Sequence, residues 1–354
     1  MIWDCLPLGF KVVRVLFKPF QNEICMKLTF LQRDGEGRLA APPLSLAPMV
    51  GLSHSALRSL IADLGGCGLF YTEMLAARRL PHENPAVSSY LHTTPCERPL
   101  IYQLFIADVK YVAPALDKIH RLGGDGVDIN LGCPAPSVRR GGAGAALAED
   151  WDRVRDIVSS ARRHTDLTLS AKIRVGHVGK EAHLLDFCKM LEAEGVDLLA
   201  VHARYHGEKF CRKPRWQLLA PICEQLDIPI FANGGIFSVD DARRCLELSG
   251  AAGLMLGRGA VERPWLFNEI AREVYGLDLP VAESRPVEIY FRFVQKMVEI
   301  FAPERQLGRI KEFTHYIAKN HQFGHHLASA VQKSHTVEEA VQAAEDFYGI
   351  SRDI

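Results

Sequence analysis

The feature that most constrains this chain is the repeated alternation, between Leu44 and about Gly276, of short β-rich runs with amphipathic stretches of helical spacing. Eight such runs can be counted, at 44–50, 68–74, 99–105, 126–132, 168–176, 198–205, 228–235 and 253–260. Strands alternating with helices pair in parallel, and eight of them in roughly 230 residues match a closed (β/α)8 barrel of the TIM type. An open doubly wound sheet would carry a glycine fingerprint in its first βα turn, but that turn reads Met49-Val50-Gly51-Leu52-Ser53. Past Gly276, the residues Asp278, Pro280, Glu283 and Pro286 mark a linker, and the pattern is helical from there to the end. The expected α/β organisation is therefore a barrel over 44–276 and a small all-α helical domain over 277–354, with 1–43 as an N-terminal extension. Residues 1–25 mix Lys11, Arg14 and Lys18 with apolar residues, without the apolar length of a membrane span or a small-residue cleavage site. Met26 is an alternative start that would leave them upstream of the protein.

Side chains two apart share a face of a strand, and in a barrel one face points inward. In the fifth run Ala171, Ile173 and Val175 alternate with Lys172, Arg174 and Gly176; in the sixth Leu199, Val201 and Ala203 alternate with Ala200, His202 and Arg204. If the apolar faces meet the helices, then Lys172, Arg174, His202 and Arg204 point to the barrel mouth, where crowded cations need an anion. Totals conceal this, since 42 basic residues balance 42 acidic ones. The nine cysteines are odd in number and contain no CxxC pair, which excludes a disulfide framework and the usual zinc or iron-sulfur patterns. A reducing cytoplasm is the compartment expected, with no metal, no membrane segment and a monomeric chain.

Barrels often bind phosphate with the loops after strands seven and eight. Here those ends read Ala232-Asn233-Gly234-Gly235 and Gly257-Arg258-Gly259-Ala260. The glycines admit an anion close to the backbone, and Arg258 can pair with it. Strand four delivers Cys133-Pro134 to the same rim, ahead of the loop Gly141-Gly142-Ala143-Gly144. A single cysteine is most often a small core residue; its address at a strand end sets Cys133 apart from the other eight.

Together these residues resemble the tRNA-dihydrouridine synthases, flavin barrels that reduce uridine to 5,6-dihydrouridine in tRNA. The resemblance runs from Leu46-Ala47-Pro48-Met49 through Asn130-Leu131-Gly132-Cys133-Pro134, Lys172-Ile173-Arg174, His202-Ala203-Arg204, Asn233-Gly234-Gly235-Ile236 and Gly257-Arg258-Gly259-Ala260 to Pro264-Trp265-Leu266-Phe267. It implies FMN as cofactor, with Pro48 and Met49 against the ring and Gln103 hydrogen-bonded to it. Asn130 would reach flavin and uridine, Lys172 and His202 flavin and phosphate, and Asn233, Gly234, Gly235, Gly257 and Arg258 would form the phosphate cradle. It also implies Cys133 as the proton donor to the base, with NADPH, or less often NADH, as the diffusible reductant. A free thiol, with an ordinary pKa of about 8.5, is protonated at neutrality and suits a general acid. The uridine must be turned out of its stack to reach the mouth, where Arg174 and Arg204 could hold carbonyls or phosphates. Ser53-His54 after strand one and Leu104-Phe105-Ile106 after Gln103 depart from the family pattern and leave the target uridine open. Two other readings fit parts of the pattern, a small-molecule FMN oxidoreductase of the dihydropyrimidine or dihydroorotate type and a non-catalytic RNA-binding barrel.

Between Arg305 and His335 the charged residues are Arg305, Arg309, Lys311, Lys319 and Lys333 against Glu312 alone. On a helix Lys311, His315 and Lys319 form one stripe, while Phe313, Tyr316 and Ile317 form another that can bury. The helical domain of the family sits here, so Arg309, Lys311 and Lys319 are expected to contact tRNA. Replacing Lys311 and Lys319 with Glu is expected to weaken tRNA binding and flatten its salt dependence with FMN still bound, as measured by titration at several ionic strengths.

Overall fold

The computed structural model of the protein describes residues 41–350; the expectations for residues 1–25 and Met26 lie outside them. Nine short strands form one parallel sheet: β1 (Leu44–Leu46), β2 (Phe70–Tyr71), β3 (Leu75–Ala76), β4 (Leu100–Phe105), β5 (Gly126–Asn130), β6 (Thr168–Arg174), β7 (Leu198–His202), β8 (Ile230–Asn233) and β9 (Gly253–Leu256). From β3 to β9 each strand pairs with the next, β2 also pairs with β4, β9 pairs with β1, and a parallel bridge between Ser45 and Leu69 joins β1 to the β2 side. The result is an eight-stave (β/α)8 barrel, because β2 and β3 both pair with β4 and make up one stave.

That stave is where the single run at 68–74 needs correcting. Thr72 interrupts it: its Oγ1 accepts the N–H of Gln103 (3.1 Å) and donates to the carbonyl of Glu73 (2.8 Å). The chain steps sideways before pairing again, and Met74 is turned into the central cavity. Other runs are shorter than read, since 126–132 stops at Asn130 and 253–260 at Leu256, before a short helix from Arg258.

The phase of alternation in β6 and β7 is the expected one. Ala171, Ile173, Val175, Leu199, Val201 and Ala203 are buried in the layer between strands and helices. Inside the barrel a separate small cluster, including Tyr71, Ile101, Leu198, Ala200, Phe231 and Met255, fills the space beneath the mouth.

The outer helices include α1 (Ser55–Leu64), α2 (Val112–Arg121), α3 (Pro136–Arg140), α4 (Trp151–His164), α5 (Glu181–Ala193), α6 (Ala220–Gln225), α7 (Val239–Ser249), α8 (Arg258–Glu262) and α9 (Leu266–Glu273). Four more follow: α10 (Pro286–Ile300), α11 (Leu307–Ile317), α12 (Gly324–Lys333) and α13 (Val337–Tyr348). Helix α10 packs on α1, and α11 on α8. These contacts seat the helical segment beside the first and last staves of the barrel.

At this seat His54 is buried against Phe293 and Phe301, with ring centroids 5.9 and 5.4 Å away. Burial, with Arg309 and Arg58 close by, holds its imidazole well below the usual histidine range and therefore neutral. Arg309 lies with its guanidinium 4.9 Å from the Phe301 ring and donates to Ser89 Oγ at 3.3 Å. The phase of α11 directs Arg309 toward the junction, where Phe301 offers a ring face.

The loop that reaches Arg309 is tied down by a buried ion pair. Arg58 Nε donates to Glu97 Oε2 at 2.7 Å, both side chains being almost wholly excluded from solvent. The guanidinium also donates to the carbonyls of Ser53 and His92, while Glu97 accepts from Ser55 Oγ and from the amide and hydroxyl of Thr94. Removing one partner leaves the other charged and buried. Glu97→Ala is expected to lower the unfolding free energy by about 3 to 5 kcal/mol in urea titrations.

Candidate active site

A cavity of about 440 Å³ opens at the C-terminal ends of the strands. Its wall at β5 is built by Asn130, whose Oδ1 accepts the backbone N–H of Gly132 at 3.2 Å and of Cys133 at 3.0 Å. This side-chain turn ends the strand and sets Cys133, half-buried, on the rim. Gly144 packs behind it in the left-handed region at φ +64°, where an added Cβ would come within 2.7 Å of the Cys133 carbonyl.

Asn130 is itself held from below. Its Nδ2 donates to Gln103 Oε1 at 2.8 Å, Gln103 Nε2 donates to Asp128 Oδ2 at 2.6 Å, and Ser170 Oγ donates to Asp128 Oδ1 at 2.6 Å. The strand register places Gln103 beside Asp128 and Asp128 beside Ser170, with Asn130 beside Lys172 one layer higher. Burial lifts the Asp128 carboxyl to about 6, against the hydrogen bonds from Ser170 and Gln103 and the charge of Lys172. Desolvation likewise brings Lys172 down to about 8, with Asp128 opposing. Lys172 Nζ donates to Asn233 Oδ1 at 2.9 Å, and Asn233 Nδ2 donates to the Met255 carbonyl at 2.7 Å.

Above Lys172 lies a cluster of cations. Arg204 Nη1 is 2.9 Å from His202 Nε2; since a guanidinium can only donate, His202 accepts there and carries its proton on Nδ1. Burial and the neighbouring Lys172, Arg174, Arg204 and Arg258 charges push its pKa far below the usual histidine range, consistent with a neutral ring. Phe210 stacks on His202 at 6.0 Å and lies 5.7 and 4.8 Å from the Arg174 and Arg258 guanidiniums. It remains 51% exposed, an aromatic surface at the mouth.

The cradle lies between β8 and β9. Gly234 (φ +106°) and Gly235 (φ +76°) adopt conformations that disfavour side chains, and a Cβ on Gly234 would meet the His202 ring at 2.6 Å. The amides of Gly234, Gly235, Gly257 and Arg258 donate to no other described residue. Trp216 Nε1 fixes the loop by donating to the Gly234 carbonyl at 2.9 Å. Free amides, room that a side chain would fill, and Arg258 together fit a phosphate group, and the adjacent Ala47, Pro48, Met49 and Met255 offer an apolar wall for a flat ring.

Thirteen of the expected residues line this one cavity: Pro48, Met49, Asn130, Cys133, Lys172, Arg174, His202, Arg204, Asn233, Gly234, Gly235, Gly257 and Arg258. Gln103 does not. It is fully buried one layer down, with both ends of its amide engaged. Arg309, Lys311 and Lys319 also lie outside the lining; Lys311 is half-buried, and Lys319 pairs with Glu262 at 3.3 Å beside the Tyr316 ring. Tyr316 does not join the buried stripe with Phe313 and Ile317 but reaches the cavity with Glu312. Met74, Phe210, Phe237, Glu312 and Tyr316 escaped sequence reasoning, because no local pattern ties a loop or a distant helix to a barrel mouth.

Residues 45–348 match the family model described as dihydrouridine synthase. The chain is 32% identical over 289 residues to a tRNA-dihydrouridine(16) synthase of Aquipseudomonas alcaligenes, covering 78% of this chain and 91% of that protein. It is 35% identical over 247 residues to tRNA-dihydrouridine synthase B of Pseudomonas syringae pv. tomato, covering 69% and 73% respectively. Among solved structures, a 6-hydroxypseudooxynicotine amine oxidase of Pseudomonas geniculata N1 shares the barrel fold at a TM-score of 0.53 and 10% identity, over 71% of this chain and 50% of that one.

Asp128→Asn tests the relay beneath the rim. A carboxyl raised to about 6 in the fold, from about 4 unfolded, contributes stability present below pH 4 and lost as pH rises through 6. The variant is expected to flatten that window in urea titrations across pH. Because an amide leaves one acceptor where the carboxylate had two, Gln103 and Ser170 can no longer both donate to position 128, and the variant is also expected to alter the alkylation rate of Cys133 several-fold, read by peptide mass mapping.

Proposed function

The chain belongs to the dihydrouridine synthase family, and we propose that it is an FMN-dependent tRNA-dihydrouridine synthase that saturates the C5–C6 bond of uridine in tRNA, with Cys133 as proton donor. The observation that carries this reading is one cavity bounded by Cys133 on one side and by the unpaired amides of Gly234, Gly235, Gly257 and Arg258 on the other. In this reading residues 44–276 hold the flavin, 277–354 contribute RNA contacts, and NADPH or NADH is the external reductant.

Gly234, Gly235, Gly257 and Arg258 would hold the FMN phosphate, and Pro48 and Met49 would support its ring. Lys172, oriented by Asn233, lies within the same lining and serves the flavin's polar edge. When bound and reduced, the flavin supplies a hydride to C6 of the uracil. The residues of the chain then supply what the base still needs. Arg174 and Arg204 lie on the lining where they can bind uracil carbonyls or the flanking phosphate and offset negative charge developing on the base. His202, accepting from Arg204, orients that guanidinium instead of titrating near neutrality. Cys133, whose backbone is held by Asn130 on the cavity lining, delivers the proton to C5 from the Sγ–H. Gln103 serves here as a positioning residue acting through Asn130, in place of the direct flavin contact that the resemblance implies.

Cys133→Ala is expected to lower dihydrouridine formation on tRNA lacking the modification by at least about 100-fold, in the range of lost general-acid catalysis. Flavin content and flavin bleaching by NADPH should stay at wild-type levels. A variant that modifies tRNA at the wild-type rate removes the proton-donor role while leaving the cofactor assignment standing, and wild-type protein that purifies without flavin and takes up none removes the whole reading.

A further inference from the structure

A second, larger depression lies on the same face of the barrel and shares no residue with the active-site cavity. It encloses about 1050 Å³ between the loops that follow β3 and β4, and its walls include Arg78, Arg79, His82, Lys110, Tyr111 and Pro114. Both loops leave the C-terminal ends of their strands, so the groove opens toward the side on which the cavity opens. Met74 lines the cavity and Arg78, four residues further along the chain, lines the groove.

The groove gathers exposed cationic side chains on one wall. Elsewhere many surface arginines are ion-paired, as Arg98 is with Asp125 at 2.8 Å, Arg153 with Asp150 at 2.9 Å and Arg263 with Glu269 at 2.9 Å. Arg78 and Arg79 are exposed, adjacent, and without a side-chain partner among the described residues, and so is His82. Lys110 is held by Asp108 at 2.7 Å, with its ammonium 5.1 Å from the Tyr111 ring, which keeps one side of the groove in a fixed shape. The opposite wall is also fixed, because Leu80 is buried and Lys118 Nζ donates to the Glu83 carbonyl at 2.7 Å. Arg78 and Arg79, which form no ion pair although the same wall carries Glu83, face a tyrosine ring and proline surfaces, an arrangement that suits an extended polyanion with flat faces.

Resting on the tRNA substrate proposed above, we infer that this groove binds the phosphodiester backbone of the RNA next to the uridine turned into the cavity, with Arg78 and Arg79 each engaging a phosphate. The RNA track thereby extends over the β3 and β4 loops of the barrel, away from the helical segment. An open groove beside the cavity suits a strand that continues past the reacting nucleotide.

The test is a double variant, Arg78→Ala with Arg79→Ala, compared with Arg121→Ala with Arg163→Ala. The latter pair is exposed at the ends of α2 and α4, on the opposite face of the barrel. Binding of unmodified tRNA is followed by fluorescence anisotropy from 50 to 200 mM salt (on the order of the range over which phosphate contacts are read). The groove variant is expected to raise Kd by roughly five- to tenfold and to reduce the slope of log K against log salt by about 1.4 to 1.8, the value for two phosphates. The control pair leaves both within error, and Arg78→Lys with Arg79→Lys restores most of the slope. Wild-type binding with an unaltered groove variant overturns this inference alone. So does a variant whose only change is a raised KM for NADPH in flavin reduction, which would make the groove a site for the nicotinamide nucleotide. Wild-type protein that binds no tRNA overturns the underlying reading as well.

Discussion

The buried carboxylate of Asp128 fixes the direction of a hydrogen-bond chain on which the site depends. An ionised carboxylate can only accept, so Ser170 and Gln103 must donate to it. Gln103 then presents its oxygen to Asn130, and Asn130 presents its own oxygen to the amides of Gly132 and Cys133. Four residues on three adjacent strands thus have no freedom to flip. A half-satisfied polar network inside a barrel would be more costly than an apolar filling; this one is satisfied along its length, and its outermost link is the turn that carries the thiol.

The mouth above that network belongs to two parts of the chain. Barrel strands and loops supply the cations and the glycine cradle, while α11 supplies Glu312 and Tyr316. Their relative placement is set at the seat formed by His54, Phe293, Phe301 and Arg309, with the Arg58–Glu97 pair holding the intervening loop. Residues far from any reacting atom therefore govern how α11 overhangs the cavity.

Much of the barrel was legible because its signals are local. Alternation along Ala171–Val175 and Leu199–Ala203 reports which way each side chain points, and glycine pairs at strand ends report where backbone must come close to something else. What could not be read depends on contacts between elements distant in sequence. Gln103 shares the inward face of β4 with no sign that Asn130 would cap it, and Arg309 shares a helix with Lys311 with no sign that Phe301 awaits it. Phe210 reads as one apolar residue in a polar loop until three cationic or imidazole groups gather round its ring. The stave split at Thr72 arises from a hydroxyl substituting for a ladder contact, which no propensity encodes.

The barrel closes by pairing its first strand with its last, and this has a consequence in time. Ser45 and Leu254, joined across β1 and β9, stand 209 residues apart in the chain. A strand of three residues has little to hold it until its partner exists, and at ribosomal speeds that partner follows on the order of 10 to 40 s later. The Ala47–Met49 wall of the cavity is therefore synthesised well before the strand that closes beside it and takes shape only after that strand arrives. Until β9 emerges, the nascent barrel is an open sheet with two exposed edges, β1 and β8, in need of shielding from other chains.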